Sequence, residues 1–182
     1  MGLDETLIDG MKSVLIYLSI SVSILLSAIA KIKVLFICEA NSGRSQIAEA
    51  YLKKFGGNLL QVESAGFEPA PEVNPLVVQV MLEEGIDLSK KKPQSVFELF
   101  KQGRLFDHVI TLCGEGDAKC PIFPGITKRW HMPFQDPASV SGSLDERIEH
   151  VRRIRDSIKA SLLNPVPRAF DFRQAIIANS DE

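Results

Sequence analysis

The sequence predicts an α/β fold in which a central four-stranded parallel sheet is the middle layer of a three-layer sandwich, with helices on both faces. Two observations carry this prediction. Short apolar runs rich in β-branched residues alternate along the chain with longer segments that have helical periodicity and helical end signals. Strands that alternate with helices are typical of parallel sheets whose crossover helices cover both faces.

Four strands follow from the short apolar runs. The first ends abruptly at Cys38, after an unbroken run of valine, leucine, phenylalanine and isoleucine. A short run of this kind, bounded by turn signals, indicates a buried strand. The predicted strands cover residues 33–38, 59–64, 108–113 and 127–132.

Four helices are predicted, and they cover residues 44–55, 74–84, 93–102 and 144–163. The second has Asn74 as its cap, Pro75 at its first helical position and Gly85 just past its end. The last begins with a capping box formed by Ser143 and Glu146. Its apolar stripe comprises Leu144, Ile148, Val151, Ile154 and Ile158.

Composition narrows the class of protein. An apolar content of 45% with 24% charged residues is ordinary for a folded protein and excludes disordered and fibrous chains. A net charge of -2 gives no basic footprint for nucleic acid. Three cysteines cannot all pair within one chain, so a secreted disulfide scaffold is not predicted. The three histidines have no zinc-ligand spacing, so no structural metal is predicted either.

The amino-terminal segment leaves three interpretations open. Residues 13–30 carry no charge, and eighteen helical residues span roughly 27 Å, which is marginal for a bilayer. As a membrane anchor, the segment would keep the following domain in the cytoplasm, because Lys31 and Lys33 come after it. A packed extension is the second interpretation. A signal peptide is disfavoured, because acidic residues precede the segment.

Three regions follow from these patterns. We expect an apolar extension over residues 1–30, a catalytic domain over residues 31–164 and an exposed tail over residues 165–182. We expect the domain in the cytoplasm.

The segment after the first predicted strand has the features of an anion-binding loop. Active sites of parallel sheets lie at the carboxyl ends of the strands, and both Cys38 and Cys113 end predicted strands. A loop between a strand and a helix presents backbone amides to an anion, and the fork of Arg44 can hold two oxygens of it. We expect this positive setting to favour the thiolate of Cys38, with Ser45 as a hydrogen-bond partner. The predicted oxyanion-binding residues are Glu39, Ala40, Asn41, Ser42, Gly43, Arg44 and Ser45.

Several segments carry a resemblance to a known family. CEANSGRSQIAEA resembles the phosphate-binding loop of the low-molecular-weight protein tyrosine phosphatase superfamily. SAGFEP, NPLVVQVMLEEGIDLS, VITLCGEGDAKCP and FQDPAS are similar to segments of its arsenate reductase branch. The resemblance covers residues 33–163 and implies the phosphatase-like version of the predicted sandwich.

The resemblance implies a mechanism. Cys38 would attack arsenate, Arg44 would clamp the oxyanion, and Asp136 would act as general acid. A relay of Cys38, Cys113 and Cys120 would then pass a disulfide to an external thiol reductant, most simply thioredoxin. Phosphate and sulfate would compete with arsenate, and no bound cofactor is implied.

Two other functions stay open. A protein tyrosine phosphatase would use the same loop and acid, although Ala138 and Ser139 stand where such phosphatases usually carry aromatic residues. A non-catalytic oxyanion-binding or arsenite-binding module would need no general acid.

Two loop features differ from the family pattern or extend it. Gly43 stands where many reductases carry a second loop cysteine. Asn41, Glu49 and Ser64 match positions at which some relatives bind potassium, but ordinary hydrogen bonding is the favoured interpretation.

Overall fold

The computed structural model describes residues 31–114 and 128–163. Within them, four parallel strands form one sheet in the order β2-β1-β3-β4. The strands are β1 (Ile32–Cys38), β2 (Leu60–Gly66), β3 (His108–Thr111) and β4 (Lys128–His131). This confirms the predicted four-stranded parallel sheet.

Helices cover both faces of the sheet. They are α1 (Arg44–Gly56), α2 (Pro75–Leu82), α3 (Val96–Lys101) and α4 (Leu144–Leu163). Alternate residues of β1 face opposite sides, as the pleat requires. Phe36 and Cys38 lie in a large apolar cluster with α1, α2 and α4, whereas Leu35 and Ile37 lie in a smaller one with α3. The three-layer arrangement is therefore confirmed.

Several details differ from the sequence prediction. Helix α2 ends at Leu82, two residues early. β3 ends at Thr111, two residues early. α3 begins only at Val96, because the backbone of Gln94 accepts a hydrogen bond from the amide of Gly66 at 2.9 Å and extends the end of β2. Leu144 is 60% exposed, so its place in the apolar stripe was wrong, since it occupies the first turn of α4 before the buried residues begin.

The predicted capping and stop signals of α2 and α4 are confirmed. The side chain of Asn74 accepts a hydrogen bond from the amide of Leu76 at 2.9 Å, which caps α2. Gly85 follows α2 with a φ of 73°, a conformation that favours glycine. The amide of Ser143 donates to the carboxylate of Glu146 at 2.8 Å, as a capping box requires.

The terminal regions remain predictions. Across residues 31–114 and 128–163, none of the helices combines the length and apolar character that a membrane crossing needs. The predicted anchor at residues 13–30 and the predicted tail at residues 165–182 lie outside the described residues.

Gly66 lets the anion-binding loop pack against the end of β2. A Cβ at this position would lie 2.6 Å from the carbonyl oxygen of Glu39 and 2.7 Å from the amide nitrogen of Asn41. Both are backbone atoms, so only a displacement of the loop could relieve the clash. A side chain at Gly66 is therefore incompatible with the position of the loop.

We expect Gly66→Ala to lower stability by about 1–3 kcal/mol, as overpacking usually does. It should also weaken phosphate binding at the loop by roughly tenfold or more, because the loop must move. Thermal unfolding and phosphate titration would measure the two effects. Gly103→Ala is the control, since a Cβ there has nothing within 4 Å and meets only the strain of a φ of 68°. Equal phosphate affinity in both variants would contradict this role of Gly66.

Tyr51 of α1 is fully buried in the large cluster and stacks on Phe55, with ring centroids 5.6 Å apart. Its hydroxyl is buried and has no hydrogen-bond partner among the described residues. Burial, followed by the charge of Glu84, raises the pKa of Tyr51 to about 12. The hydroxyl therefore opposes folding rather than stabilising it.

We expect Tyr51→Phe to leave stability at pH 7 unchanged or to raise it by up to about 1 kcal/mol. The wild type should lose stability as the pH rises from about 10 to about 12, because the unfolded tyrosine ionises first while the folded one keeps its proton. The variant should lose less over this range. Urea unfolding at several pH values would measure the loss of stability in both proteins. Identical losses would contradict a raised pKa of Tyr51.

Candidate active site

Cys38 ends β1 with its thiol held by a hydroxyl. Cys38 is only 2% exposed, and its Sγ lies 2.9 Å from Oγ of Ser45 in the first turn of α1. The side-chain amide of Asn41 donates to the same Oγ at 2.8 Å. Because the hydroxyl oxygen already accepts this bond, its own proton is available to donate to the sulfur. This arrangement directs the hydroxyl of Ser45 at the sulfur.

The loop after Cys38 has its carbonyl groups turned outward. The carbonyls of Glu39, Ala40 and Ser42 accept hydrogen bonds from backbone amides of the 68–74 segment, at distances between 2.9 and 3.0 Å. In a trans peptide the carbonyl and the following N–H point in opposite directions. The amides of residues 40, 41 and 43 therefore point away from that segment and can receive an anion. The side chain of Glu39 is exposed, so its charge is directed to solvent.

Asn41 holds the loop in shape from within. It is fully buried and has a φ of 49°, the left-handed conformation that asparagine tolerates better than most residues. Its side-chain oxygen accepts from the amide of Gln94 at 2.8 Å and from the side chain of Gln46 at 3.1 Å. Its side-chain nitrogen also donates to Ser64 at 2.8 Å. These bonds fix the loop to β2, to α1 and to the segment before α3.

Helix α1 offers an uncapped positive end to the loop. Gly43 precedes the helix, and none of the described side chains caps it. The first turn contains no acidic residue, so the partial positive charge of the helix terminus is not neutralised there. A Cβ on Gly43 would lie 3.1 Å from Cγ of Pro137, so the loop and the segment around Pro137 pack closely here.

Arg44 connects the anion-binding loop to the end of β3 and to Asp136. It is 2% exposed, and its guanidinium donates to the carboxylate of Asp136 at 3.1 Å. It also donates to the backbone carbonyls of Phe134 at 3.2 Å and Leu112 at 3.5 Å. The charge of Arg44 is thus held beside the helix terminus, and Asp136 is brought to the same place.

Asp136 is oriented by its own turn. The amide of Ala138 donates to its second carboxylate oxygen at 2.9 Å, and the amide and hydroxyl of Ser139 donate to its backbone carbonyl. The carboxylate is 32% exposed, so it can exchange a proton with solvent. We call residues 134–139 the acid loop.

The three predicted potassium residues form a hydrogen-bonded chain instead. Ser64 donates to the buried carboxylate of Glu49 at 2.6 Å, and Asn41 donates to Ser64. Two lysine ammonium groups, of Lys53 and Lys91, each lie 2.5 Å from the other oxygen of Glu49. The negative charge of Glu49 is already balanced by two cations. This arrangement supports ordinary hydrogen bonding rather than a potassium site.

Cys113 follows the strand that pairs with β1, but its side chain is expected on the opposite face of the sheet from that of Cys38. Ile37 pairs with Thr111, so Cys38 lies beside Leu112, and Cys113 follows. A strand spacing of about 4.8 Å and one step of about 3.3 Å place the two cysteine Cα atoms roughly 6 Å apart, within the range for a disulfide. Leu112 shares the large apolar cluster with Cys38, so the next side chain points elsewhere. Cys38 and Cys113 are both buried and form no disulfide with each other, and Cys120 lies outside the described residues.

Some supporting residues were not predicted from the sequence. Gln94 and Lys91 reach the loop network from a segment without a motif, more than forty positions along the chain from Asn41 and Glu49. The close approach of Pro137 to Gly43 was not predicted either. The glycine of SAGF was the one available signal for Gly66, because a glycine at a strand end often marks a close backbone approach.

The geometry combines an anion-binding loop, a buried nucleophile and a nearby acid. Outward carbonyls and an uncapped helix terminus prepare the loop for an oxyanion. Cys38 is placed at its base, and Arg44 and Asp136 lie together at its rim. This set of groups can bind a tetrahedral oxyanion, attack its central atom and protonate an oxygen that leaves.

The chain resembles known proteins over most of its length. The sequence profile described as "Low molecular weight phosphotyrosine protein phosphatase" matches residues 33–164. An arsenate reductase of Bacillus licheniformis is 40% identical over 129 residues, which cover 71% of this chain and 91% of that protein. One of Halalkalibacterium halodurans is 42% identical over 123 residues, covering 68% of this chain and 86% of that protein.

Solved structures agree with the sequence comparison. An arsenate reductase in its phosphate-binding state matches with a TM-score of 0.60 and 31% identity, over 73% of this chain and 95% of that one. An arsenate reductase of Archaeoglobus fulgidus matches with a TM-score of 0.52 and 28% identity, over 69% and 98%. The chain therefore belongs to the low molecular weight phosphotyrosine protein phosphatase family, as a relative of its arsenate reductases.

Proposed function

We propose that this protein is an arsenate reductase that converts arsenate to arsenite with its own three cysteines. Two observations support the substrate: the relatives named above, and a loop suited to a tetrahedral oxyanion. The single observation that favours reduction over hydrolysis is the position of Cys113. It follows β3, the strand paired with β1, and ideal strand geometry continued to Cys113 would put its Cα roughly 6 Å from that of Cys38, which a disulfide can bridge.

The first step is displacement at arsenic. The thiolate of Cys38 attacks the arsenic atom, a sulfur–arsenic bond forms, and one arsenic–oxygen bond breaks. Asp136 gives its proton to the departing oxygen, which leaves as water. In our proposal the oxyanion replaces the Asp136 carboxylate on the guanidinium of Arg44. The displaced carboxylate, which is 32% exposed, then takes a proton from solvent and holds it for the departing oxygen.

The second step transfers two electrons to arsenic. The thiolate of Cys113 attacks the sulfur of Cys38, and the sulfur–arsenic bond breaks with its electron pair on arsenic. Arsenic(V) becomes arsenic(III), which leaves as arsenite, while the two thiols become a disulfide. Because the side chain of Cys113 lies on the other alternation from Cys38, the backbone after Thr111 must rotate for this attack.

The third step regenerates the nucleophile. Cys120 attacks the sulfur of Cys113, which frees Cys38 and leaves a disulfide between Cys113 and Cys120. An external dithiol then reduces this bond, and a thioredoxin-type protein is the reductant that we propose. This cycle suits the cytoplasm, where thiols are kept reduced.

A phosphatase is the second candidate, because the matching family profile is that of phosphotyrosine phosphatases. Hydrolysis of a phosphate ester would use Cys38, Arg44 and Asp136 in the same roles, but it has no use for Cys113. Small residues, Ala138 and Ser139, follow Pro137 and give a substrate ring little to pack against. A purely binding module is disfavoured by the acid held at the rim of the loop.

Serine substitutions can separate the roles of the three cysteines. The assay is arsenate-dependent NADPH oxidation in the presence of thioredoxin and thioredoxin reductase. We expect Cys38→Ser to abolish turnover. Cys113→Ser should abolish it too, because the arsenic adduct cannot be reduced. Cys120→Ser should release about one equivalent of arsenite and then stop, with a disulfide between Cys38 and Cys113.

Hydrolysis of p-nitrophenyl phosphate provides the matched control. Any such activity should need Cys38 and survive Cys113→Ser. A wild type that hydrolyses the ester rapidly and shows no arsenate-dependent turnover would establish the phosphatase instead. Full reductase activity in Cys113→Ser would rule out the relay.

Asp136→Asn tests the acid. We expect kcat for arsenate reduction to fall by about 10²- to 10⁴-fold, because the leaving oxygen would depart without a proton. The KM should not rise, since Arg44 no longer has a carboxylate to release. Steady-state kinetics would separate the two constants, with Asp145→Asn as a control for loss of an exposed carboxylate. A kcat equal to that of the control would show that Asp136 is not the acid.

A further inference from the structure

A cavity lies behind the acid loop, on the side of helix α4. It has a volume of about 220 Å³ and is lined by Phe134, Gln135, His150, Arg153, Ile154 and Ser157. Phe134 and Ile154 supply apolar walls, while the other four side chains supply polar groups. None of these side chains has a role in the proposed reaction.

The cavity side of α4 carries positive charge without carboxylate partners. On α4, Arg152 and Arg155 are held by Glu83 and by neighbouring acids, with separations between 2.8 and 3.2 Å. No ion pair involves Arg153 within residues 31–114 and 128–163. Nε of Arg147, earlier on the same helix, is buried and has no hydrogen-bond acceptor among those residues. Among the acids of this helix, Glu149 and Asp156 pair with Arg152 and Arg155. Glu146 accepts hydrogen bonds from Ser143.

The cavity is joined directly to the acid loop. His150 Nε2 and Gln135 Oε1 are 3.0 Å apart, so a hydrogen bond ties α4 to the residue that precedes Asp136. The backbone carbonyl of Phe134, whose side chain lines the cavity, accepts from Arg44. A group bound in the cavity would therefore contact the segment that positions both Asp136 and Arg44.

We propose that this cavity is a second anion site, which takes a small oxyanion of the phosphate type and steadies the acid loop when it is occupied. Arg153 supplies the charge, and Gln135, His150 and Ser157 supply hydrogen bonds.

The size of the cavity restricts the ligand. About 220 Å³ lies below the roughly 300–1,000 Å³ of sites for drug-sized molecules. A tetrahedral anion with a few waters, each of about 30 Å³, fits this space. A guanidinium that has no carboxylate partner binds such an oxyanion through charge-assisted hydrogen bonds.

The test follows backbone amides by NMR while inorganic phosphate is added to the reduced full-length chain. Wild type should show two saturation curves, one for amides of residues 40–45 and another for amides of residues 134–135 and 150–157. Arg153→Gln should weaken the second by at least about tenfold, the usual scale for a charged hydrogen bond, and leave the first unchanged. Lys128→Gln is the matched control, because it removes an exposed charge at the start of β4 that does not line the cavity.

Coupling to the acid loop is measured by hydrogen exchange. The amides of Ala138 and Ser139 both donate to Asp136, so their exchange reports the order of the acid loop. Phosphate should slow this exchange strongly in the wild type and in Lys128→Gln, and less in Arg153→Gln.

Three results would overturn the proposal. Residues 150–157 could fail to respond to phosphate, or could follow the curve of residues 40–45 in every variant, which would mean a relayed effect. Identical binding curves in Arg153→Gln and Lys128→Gln would show that Arg153 holds no anion. Equal slowing of exchange in these two variants would remove the coupling. None of these measurements needs turnover, so they stand apart from the test of arsenate reduction.

Discussion

The outward rotation of three loop carbonyls is the constraint on which the site depends. The 68–74 segment binds the carbonyls of Glu39, Ala40 and Ser42, so the intervening amides are left to the anion. This arrangement requires the loop to lie against the end of β2, and only a glycine at Gly66 gives it room. The chemistry at Cys38 therefore rests on backbone contacts made far along the chain, not on the loop sequence alone.

The positive charge of Arg44 is held in place by groups of the protein. Arg44 is nearly inaccessible to solvent and is held by a carboxylate and two carbonyl groups, so it needs no substrate to stay in place. A preorganised cation of this kind costs little reorganisation when an oxyanion arrives. Its partner Asp136 lies on a separate loop, which connects the binding of an anion to the position of a proton donor.

Local signals in the sequence predicted most of the framework, and long-range contacts account for what was missed. Asn74, Gly85 and the pair Ser143 and Glu146 act within one turn, so their roles could be read directly. The strand that ends at Cys38 and the helix that begins at Arg44 were likewise clear from periodicity. Gln94, which binds Asn41, and Lys91, which binds Glu49, could not be predicted, because contacts across forty positions leave no periodic trace. Leu144 was misassigned because periodicity does not show where a helix leaves the core.

The contact between Gly43 and Pro137 bears on how the protein withstands oxidation. A side chain at Gly43 would crowd the proline at 3.1 Å, so the helix start has little space for an extra thiol. Three thiols can pair in three ways, and two of these pairs are intermediates of the proposed relay. A fourth thiol beside Cys38 would add three further pairings, all of them unproductive. By keeping its loop free of a competing sulfur, this chain leaves an oxidised Cys38 few routes other than the one that returns it to the cycle.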